Sequence, residues 1–280
     1  MPRRIYPIFL SACFLLVVLL LRTTWAAPPI TYTPLNYQEI GAGLWFAKVA
    51  IYKEKQKAEK LILVKIDPKK NRFRVLHDKN VKTIEEWQAV TGASVIFNGS
   101  YFRENFDPCG LIISDGQIKG HVRNRYMKGM FVAEPKKNNS PQAAILDLTK
   151  MSPASNNFSW SQGLQSFPML IDKNGVVRVN QSDLRASRTA ICTAKDGCVI
   201  VVHTEETYFT LYDLAHFLKK LPLDIEYALN LDGGMAAELC IRTGGLNYTH
   251  YGYQMSNYTG ELSLKGLQAR IPLVVGVFPR

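Results

Sequence analysis

Histidine and cysteine are scarce in this chain of 280 residues, five of each. No C-x-x-C pair occurs and no His/Cys spacing suits zinc, so nothing argues for a structural metal. Zinc-finger spacing, a basic recognition helix and the aromatic signature of RNA-binding sheets are missing too. The basic residues are scattered, with short clusters only at Lys53 to Lys60 and Pro68 to Arg74. Nucleic acid is therefore not an expected partner. No internal repeat or linker divides the chain, and helical periodicity is confined to two short stretches. What remains is 47% apolar and 20% charged, enough to bury a substantial core.

The N-terminus is a separate matter. Arg3 and Arg4 precede an apolar run from Ile8 to Leu21, and Thr24-Trp25-Ala26-Ala27 offers small residues at a cleavage point. The run is short for a span of about 20 residues, so residues 1–26 read as a secretory signal. An uncleaved anchor is the competing reading, with Arg22 at the far interface. Leu10-Ser11-Ala12-Cys13 imitates a lipoprotein box, but the apolar run lies after Cys13. Cleavage removes Arg3, Arg4 and Arg22 and lowers the net charge from +11 to +8. That balance suits anionic cell-surface material or a phosphate-bearing substrate, and equally plain solubility. The expected location is periplasmic or secreted, with no stable membrane insertion.

Export leaves Cys109, Cys192, Cys198 and Cys240, and an oxidising compartment favours disulfides. Cys192 and Cys198 flank a hairpin-like turn, which suggests a local staple. Cys109 and Cys240 each follow a candidate site motif, and a bridge between them would rigidify a pocket. Four cysteines allow three pairings, and free thiols are a further alternative.

Strands are expected at Leu44 to Ile51, Lys60 to Ile66, Phe73 to Leu76, Ser94 to Phe97, Leu111 to Ser114 and Met130 to Ala133. They continue at Phe167 to Asp172, Val176 to Val179, Arg188 to Thr193, Val199 to His203, Tyr227 to Leu229 and Ile271 to Phe278. Thr83 with Glu86 forms a capping box, and Gly92 ends the helix it opens. Thr210 caps a second helix carrying Leu211, Leu214, Ala215 and Leu218. Residues 28–41 read as a loose arm and Gly244 to Gly260 as a long loop. The order predicts an α+β fold: one large curved sheet, mixed or mainly antiparallel, with a few packed helices. Residues 27–93 and 94–280 are expected to form one continuous domain.

Chemistry concentrates where apolar strands end. Tyr227-Ala228-Leu229 runs into Asn230-Leu231-Asp232-Gly233-Gly234, which presents a carboxamide and a carboxylate beside glycine amides suited to an anion. Phe97-Asn98-Gly99-Ser100 repeats the pattern of an amide side chain followed by glycine. Arg188-Thr189 supplies a guanidinium, whose planar fork suits phosphate. His203 ends a strand of Val-Ile-Val-Val. Taken singly, each is more often a turn residue or a surface partner.

Together these motifs resemble the phosphodiester glycosidase family, from about Val95 to Phe278. Asn98-Gly99-Ser100-Tyr101-Phe102 is similar to the family's N-G-G-[YF]-F, and Cys109-Gly110 to its cysteine and glycine. Arg188-Thr189-Ala190-Ile191 matches R-T-A-I, His203 falls on the family histidine, and Asn230 to Gly234 matches N-L-D-G-G. The chain departs from the pattern at Ser100, at Met235-Ala236, and at Thr204-Glu205-Glu206 after His203. The resemblance implies cleavage of a sugar-1-phosphodiester between the anomeric carbon and the phosphate oxygen. It makes Asp232 the base or nucleophile, with Arg188, Gly233 and Gly234 on the phosphate and His203 as an auxiliary acid or phosphate contact. Asn98, Gly99, Thr189 and Asn230 line the substrate, and Glu205 takes the family's acidic position. No cofactor is firmly implied. Two rivals stand beside this reading: a non-catalytic envelope protein that binds anionic glycans, and a phosphodiesterase with Asp232 and Glu205 on a divalent cation.

Overall fold

The computed structural model describes residues 30–121, 124–137, 140–152, 159–254 and 267–280. The expected signal segment lies outside them. Strands follow one another as β1 (Thr31–Tyr32), β2 (Gln38–Gly41), β3 (Leu44–Lys53), β4 (Gln56–Ile66) and β5 (Asn71–Lys82). Helix α1 (Ile84–Thr91) leads to β6 (Val95–Asn98), β7 (Ile112–Ser114), β8 (Gln117–Lys119), β9 (Gly129–Pro135), β10 (Ala143–Asp147), β11 (Trp160–Ser166) and β12 (Met169–Ile171). The hairpin β13 (Thr189–Ala194) and β14 (Val199–Thr204) precedes α2 (Leu211–Leu218). The chain finishes with β15 (Ile225–Asn230), β16 (Glu238–Thr243), β17 (Leu246–Tyr251) and β18 (Ile271–Pro279).

These strands form three sheets rather than the one expected. The largest runs β1-β3-β4-β14-β13-β15-β12, with β2 also on β3; the second runs β10-β9-β11-β7-β8; the third runs β17-β16-β6-β18-β5. Every ladder among them is antiparallel. The described residues are thus mainly β with two short helices, rather than a packed α+β layer. One apolar core draws on all three sheets, including Phe46, Val64 and Leu229 of the first, Phe131 and Leu164 of the second, and Phe97 and Val275 of the third. Helix α2 covers the outer face of the first sheet with Leu214, Phe217 and Leu218, and α1 covers the third with Ile84 and Trp87. Both caps form as the sequence indicates: Thr83 and Glu86 close a capping box, Gly92 takes φ 66°, and Thr210 accepts from the Asp213 amide.

Three segments depart from expectation. The arm is tied down, because β1 and β2 both pair with β3. The Tyr-rich stretch after Gly244 opens as a hairpin, with β17 paired along β16 and Gly244-Gly245 between them. Paired glycine at a two-residue loop is the usual signal for such a turn. Strand β11 carries almost no apolar pattern, yet Gln162, Gln165 and Ser166 are all buried. Its polar side chains satisfy backbone. Gln165 Oε1 accepts from the Leu111 amide at 2.9 Å. Gln162 Oε1 accepts from the Val75 amide at 2.9 Å, and Glu134 Oε1 from the Phe73 amide at 3.1 Å. Strand β5 is an edge of the third sheet, so these side chains of the second sheet seal amides that would otherwise have no ladder partner. Gln162→Leu is expected to leave the Val75 amide buried and unpaired, at a cost of about 1–3 kcal/mol. Denaturant unfolding should show a lower midpoint at an unchanged slope.

Candidate active site

Four strand ends converge at one edge of the core: the C-terminal ends of β6, β11 and β15 and the N-terminal end of β13. Asn98 closes β6, and its side chain spends itself on the chain. Nδ2 donates to the carbonyls of Asp232 (2.9 Å) and Gly99 (3.1 Å), while Oδ1 accepts from the Glu238 amide at 3.2 Å. The Asp232 amide in turn donates to the Gly99 carbonyl at 3.1 Å. Gly99 must be glycine here, because a Cβ would lie 2.6 Å from the Leu273 side chain. On the other side, Leu231 donates to Thr189 and Gly234 to Ser187, each at 2.9 Å. The loop bearing Asp232 is thus pinned between β6 and the start of β13.

Asp232, Arg188, Asn230 and Tyr101 form the polar heart of this edge. Burial raises the Asp232 carboxyl to about 6, and the Gly233 amide, 2.8 Å from Oδ1, opposes the rise. Arg188 is buried, and burial depresses its guanidinium, partly offset by Tyr101. One Nη donates to the Leu184 carbonyl at 2.7 Å, while Nε is buried with no partner among the described residues. Gly233 packs against this guanidinium: a Cβ would stand 3.4 Å from the other Nη. Asn230 Nδ2 donates to the Tyr101 hydroxyl at 2.8 Å and to the carbonyls of Phe167 and Leu231, yet its Oδ1 is also buried and unpartnered. The Tyr101 hydroxyl donates to Phe167 at 3.0 Å and sits in the fields of both Asp232 and Arg188, with burial the main reason its phenol is pushed up. An orphan donor beside an orphan acceptor, next to an enclosed carboxylate, is a ready place for a polar anionic ligand. Tyr101 stands inside a motif in the sequence, but only the fold reveals that its hydroxyl joins Asn230.

His203 and Glu205 lie in a different group. His203 is fully buried, with Nδ1 3.1 Å from Thr189 Oγ1 and Nε2 2.8 Å from His250 Nδ1. Burial, then proximity to His250, lowers it well below the ordinary imidazole value. Glu205 accepts from the Tyr248 hydroxyl at 2.9 Å and pairs with Lys60. Their partners therefore come from β4, β13 and β17, and the contacts of Asp232 are made elsewhere. No group of three or more His, Cys, Asp or Glu side chains among the described residues is placed to hold a metal ion.

Comparisons with known proteins bear on the family and the fold. The sequence pattern of phosphodiester glycosidases matches residues 91–278. The chain belongs to that family. Among solved structures it resembles the catalytic domain of zebrafish N-acetylglucosamine-1-phosphodiester alpha-N-acetylglucosaminidase, auto-inhibited by its pro-peptide. There the TM-score is 0.59 and the identity 17%, covering 90% of this chain and 88% of that one. A hypothetical protein from Synechocystis gives 0.58 at 17% identity, covering 89% and 64%. A candidate exported protein of Burkholderia pseudomallei K96243 gives 0.53 at 9%, covering 91% and 99%. No curated protein sequence matches.

Within the phosphodiester glycosidase frame, the departures find local explanations. Ser100 is buried, and its hydroxyl donates to Ser166, which itself donates to the Asn230 carbonyl at 2.6 Å. Met235-Ala236 lies in a short 3-10 turn after Gly234, whose φ of 63° requires glycine or its like. The expected disulfides do not form, and all four cysteines are free thiols. Cys192 pairs across the hairpin with Ile200 rather than with Cys198, which sits at the turn. Cys240 is buried against α1 in the third sheet, with its sulfur 3.7 Å from Thr249 Oγ1, whereas the Cys109 thiol turns to Arg103.

The raised carboxyl has a consequence for stability. Because Asp232 titrates above its ordinary value of 3.8, ionising it costs more in the folded chain than in the unfolded one. Its contribution is full below pH about 4 and is lost as pH rises through about 6. Asp232→Asn should therefore raise the Tm at pH 7.5 by about 2–4 °C per kcal/mol recovered and leave it nearly unchanged at pH 4. Thermal unfolding at the two pH values checks this.

Proposed function

We propose that this chain is an exported hydrolase that cleaves a sugar-1-phosphodiester at the bond between the anomeric carbon and the phosphate oxygen. Its substrates are glycans of the cell surface or of exopolysaccharide type. The observation that carries this reading is the enclosed Asp232 beside the buried Arg188, whose Nε lacks a partner. Family membership supports hydrolysis of glycosyl phosphodiesters in general.

The chemistry suits the residue set. A phosphate leaves without much help from a general acid, so the demand falls on a cation for the phosphate and a carboxylate for the sugar. Arg188 Nε donates to a phosphate oxygen, and the Gly233 and Gly234 backbone approaches it closely. Asp232 takes the proton of the attacking water or bonds the anomeric carbon itself. Asn230 Oδ1 accepts from a sugar hydroxyl, with Tyr101 fixing the amide's orientation. Asn98 and Gly99 position the Asp232 loop. His203 acts through Thr189 on the strand that carries Arg188, and Glu205 belongs with it, so neither is assigned contact with substrate. Export is supported by the N-terminal residues.

A glycosyl phosphodiester incubated in water enriched in heavy oxygen tests the reading. Label on the sugar is expected; label on phosphate would sink it in favour of a phosphodiesterase, and glycan binding without turnover would favour a non-catalytic protein. Asp232→Asn should lower kcat by about 10²–10⁴-fold. Arg188→Gln should lower kcat/KM by about 10²–10³-fold. Activity should fall as pH drops below about 6, where Asp232 takes up a proton.

A further inference from the structure

We propose that the open basin beside this site binds a second phosphate, so that the preferred substrate is a glycan carrying phosphodiesters in series. The inference rests on the reaction proposed above and names its substrate class. The basin has a volume of about 660 Å³ and is lined by His77, Lys79, Arg103, Asp107, Lys119 and His121 among others. Cavities of this size hold small ligands. Most of its lining side chains are charged or titratable, which suits a hydrated anion.

The charge count favours phosphate. Two carboxylates line the basin, and each has a lysine of its own. Asp78 pairs with Lys82 at 2.6 Å and Asp107 with Lys79 at 2.8 Å, and those lysines hold both carboxyls below their usual range. Arg103 and Lys119 then bring two positive charges that no lining carboxylate offsets. A concave wall with a net positive charge concentrates anions, and Arg and Lys are both common phosphate ligands.

One loop joins the basin to the site. Tyr101, at its start, lies in the Asp232 group, and the Cys109 amide closes it by donating to the Tyr101 carbonyl at 2.9 Å. Burial pushes the Cys109 thiol up, and the charges of both Arg103 and Asp232 act on it. Arg103 thus belongs to the part of the basin wall that the loop ties to the Asp232 group. The loop is held in shape by the bridge between Phe102 and Pro108 and by His77 Nε2, 2.9 Å from the Phe106 carbonyl. Gly120 fits against the Gly110 carbonyl, where a Cβ would lie 2.2 Å away, and this close approach brings Lys119 to the rim. The distance from one charged site to the next is therefore spanned by a preformed wall, as a chain with a repeated charge requires.

Two substrates and one exposed variant test this. A single sugar phosphodiester and a four-unit oligomer of the same repeat are compared at low and high salt. The oligomer should show a KM lower by about five- to tenfold, and high salt should erase most of the difference. Lys119→Gln should remove most of that preference while leaving the single-unit kinetics within about twofold, because Lys119 is an exposed side chain outside the Asp232 group. Equal KM for the two substrates, or an equal loss on both in the variant, would overturn the subsite. If neither compound is cleaved, calorimetric binding to Asp232→Asn protein decides separately. Tighter binding of the oligomer, weakened by Lys119→Gln, keeps the subsite while the hydrolytic reading falls. Equal binding of both compounds overturns the subsite.

Discussion

The candidate site depends on one side chain whose polar atoms are spent on backbone. Asn98 ends β6 and ties the carbonyl of Asp232 and the amide of Glu238 to the same carboxamide. Those two residues bracket the 3-10 turn between β15 and β16, so a single planar group sets how that turn leaves the first sheet and enters the third. Without it, the Asp232 loop would have to find other partners for a buried carbonyl and a buried amide, each costly to leave unpaired. Serine or aspartate could meet one demand; only an amide offers a donor and an acceptor in one plane. The glycines complete the constraint. Gly99 lets the β6 end pass Leu273, and Gly233 lets the loop lie on Arg188.

This rigidity holds together groups that would separate if they were free. Asp232 and Arg188 are both shifted toward their neutral forms, chiefly by burial. A pair of opposite charges in direct contact would shift each the other way. The loop that carries Asp232 lies on Arg188 through Gly233, and the two charged groups do not spend their attraction on a salt bridge. An ion-paired Arg188 would have little left for an anion. Among the described residues its Nε and the Asn230 Oδ1 are buried without partners, a cost that a ligand with matching groups would recover.

Strand-end motifs were legible in the sequence because they are local: an apolar run, an amide side chain and glycine lie within six residues. Their convergence was less so, since it rests on pairings such as Ala190 with Asn230 and Val274 with Asn98. The division into three sheets was hidden for a related reason. Strand β11 joins the second sheet to the third through Gln162, and polar residues in a strand carry no periodic apolar signal. The hairpin of β3 and β4 turns at Glu54-Lys55, both with positive φ, where sequence statistics look for Asn or Gly. Cysteine spacing misled for register: flanking a turn does not place two residues opposite each other. The family resemblance drew attention to Asp232 and Arg188, but it did not distinguish them from His203, whose contacts lie between sheets.

That last distinction is physical. His203 sits on β14 and His250 on β17, so their contact joins the first sheet to the third. A ring nitrogen must stay unprotonated to accept the bond, and burial keeps His203 in that state. Because its folded value lies below the ordinary 6.5, the unfolded chain binds more protons, and this part of the stability is lost as pH falls below about 6.5. Asp232 acts in the opposite sense, since its ionisation weakens the fold as pH rises through about 6. An imidazole kept neutral by burial is a poor proton donor at neutral pH, whereas a carboxyl near 6 still supplies an anion there. The same burial that keeps the histidine neutral as a joint between sheets still leaves the Asp232 carboxyl ionised at neutral pH.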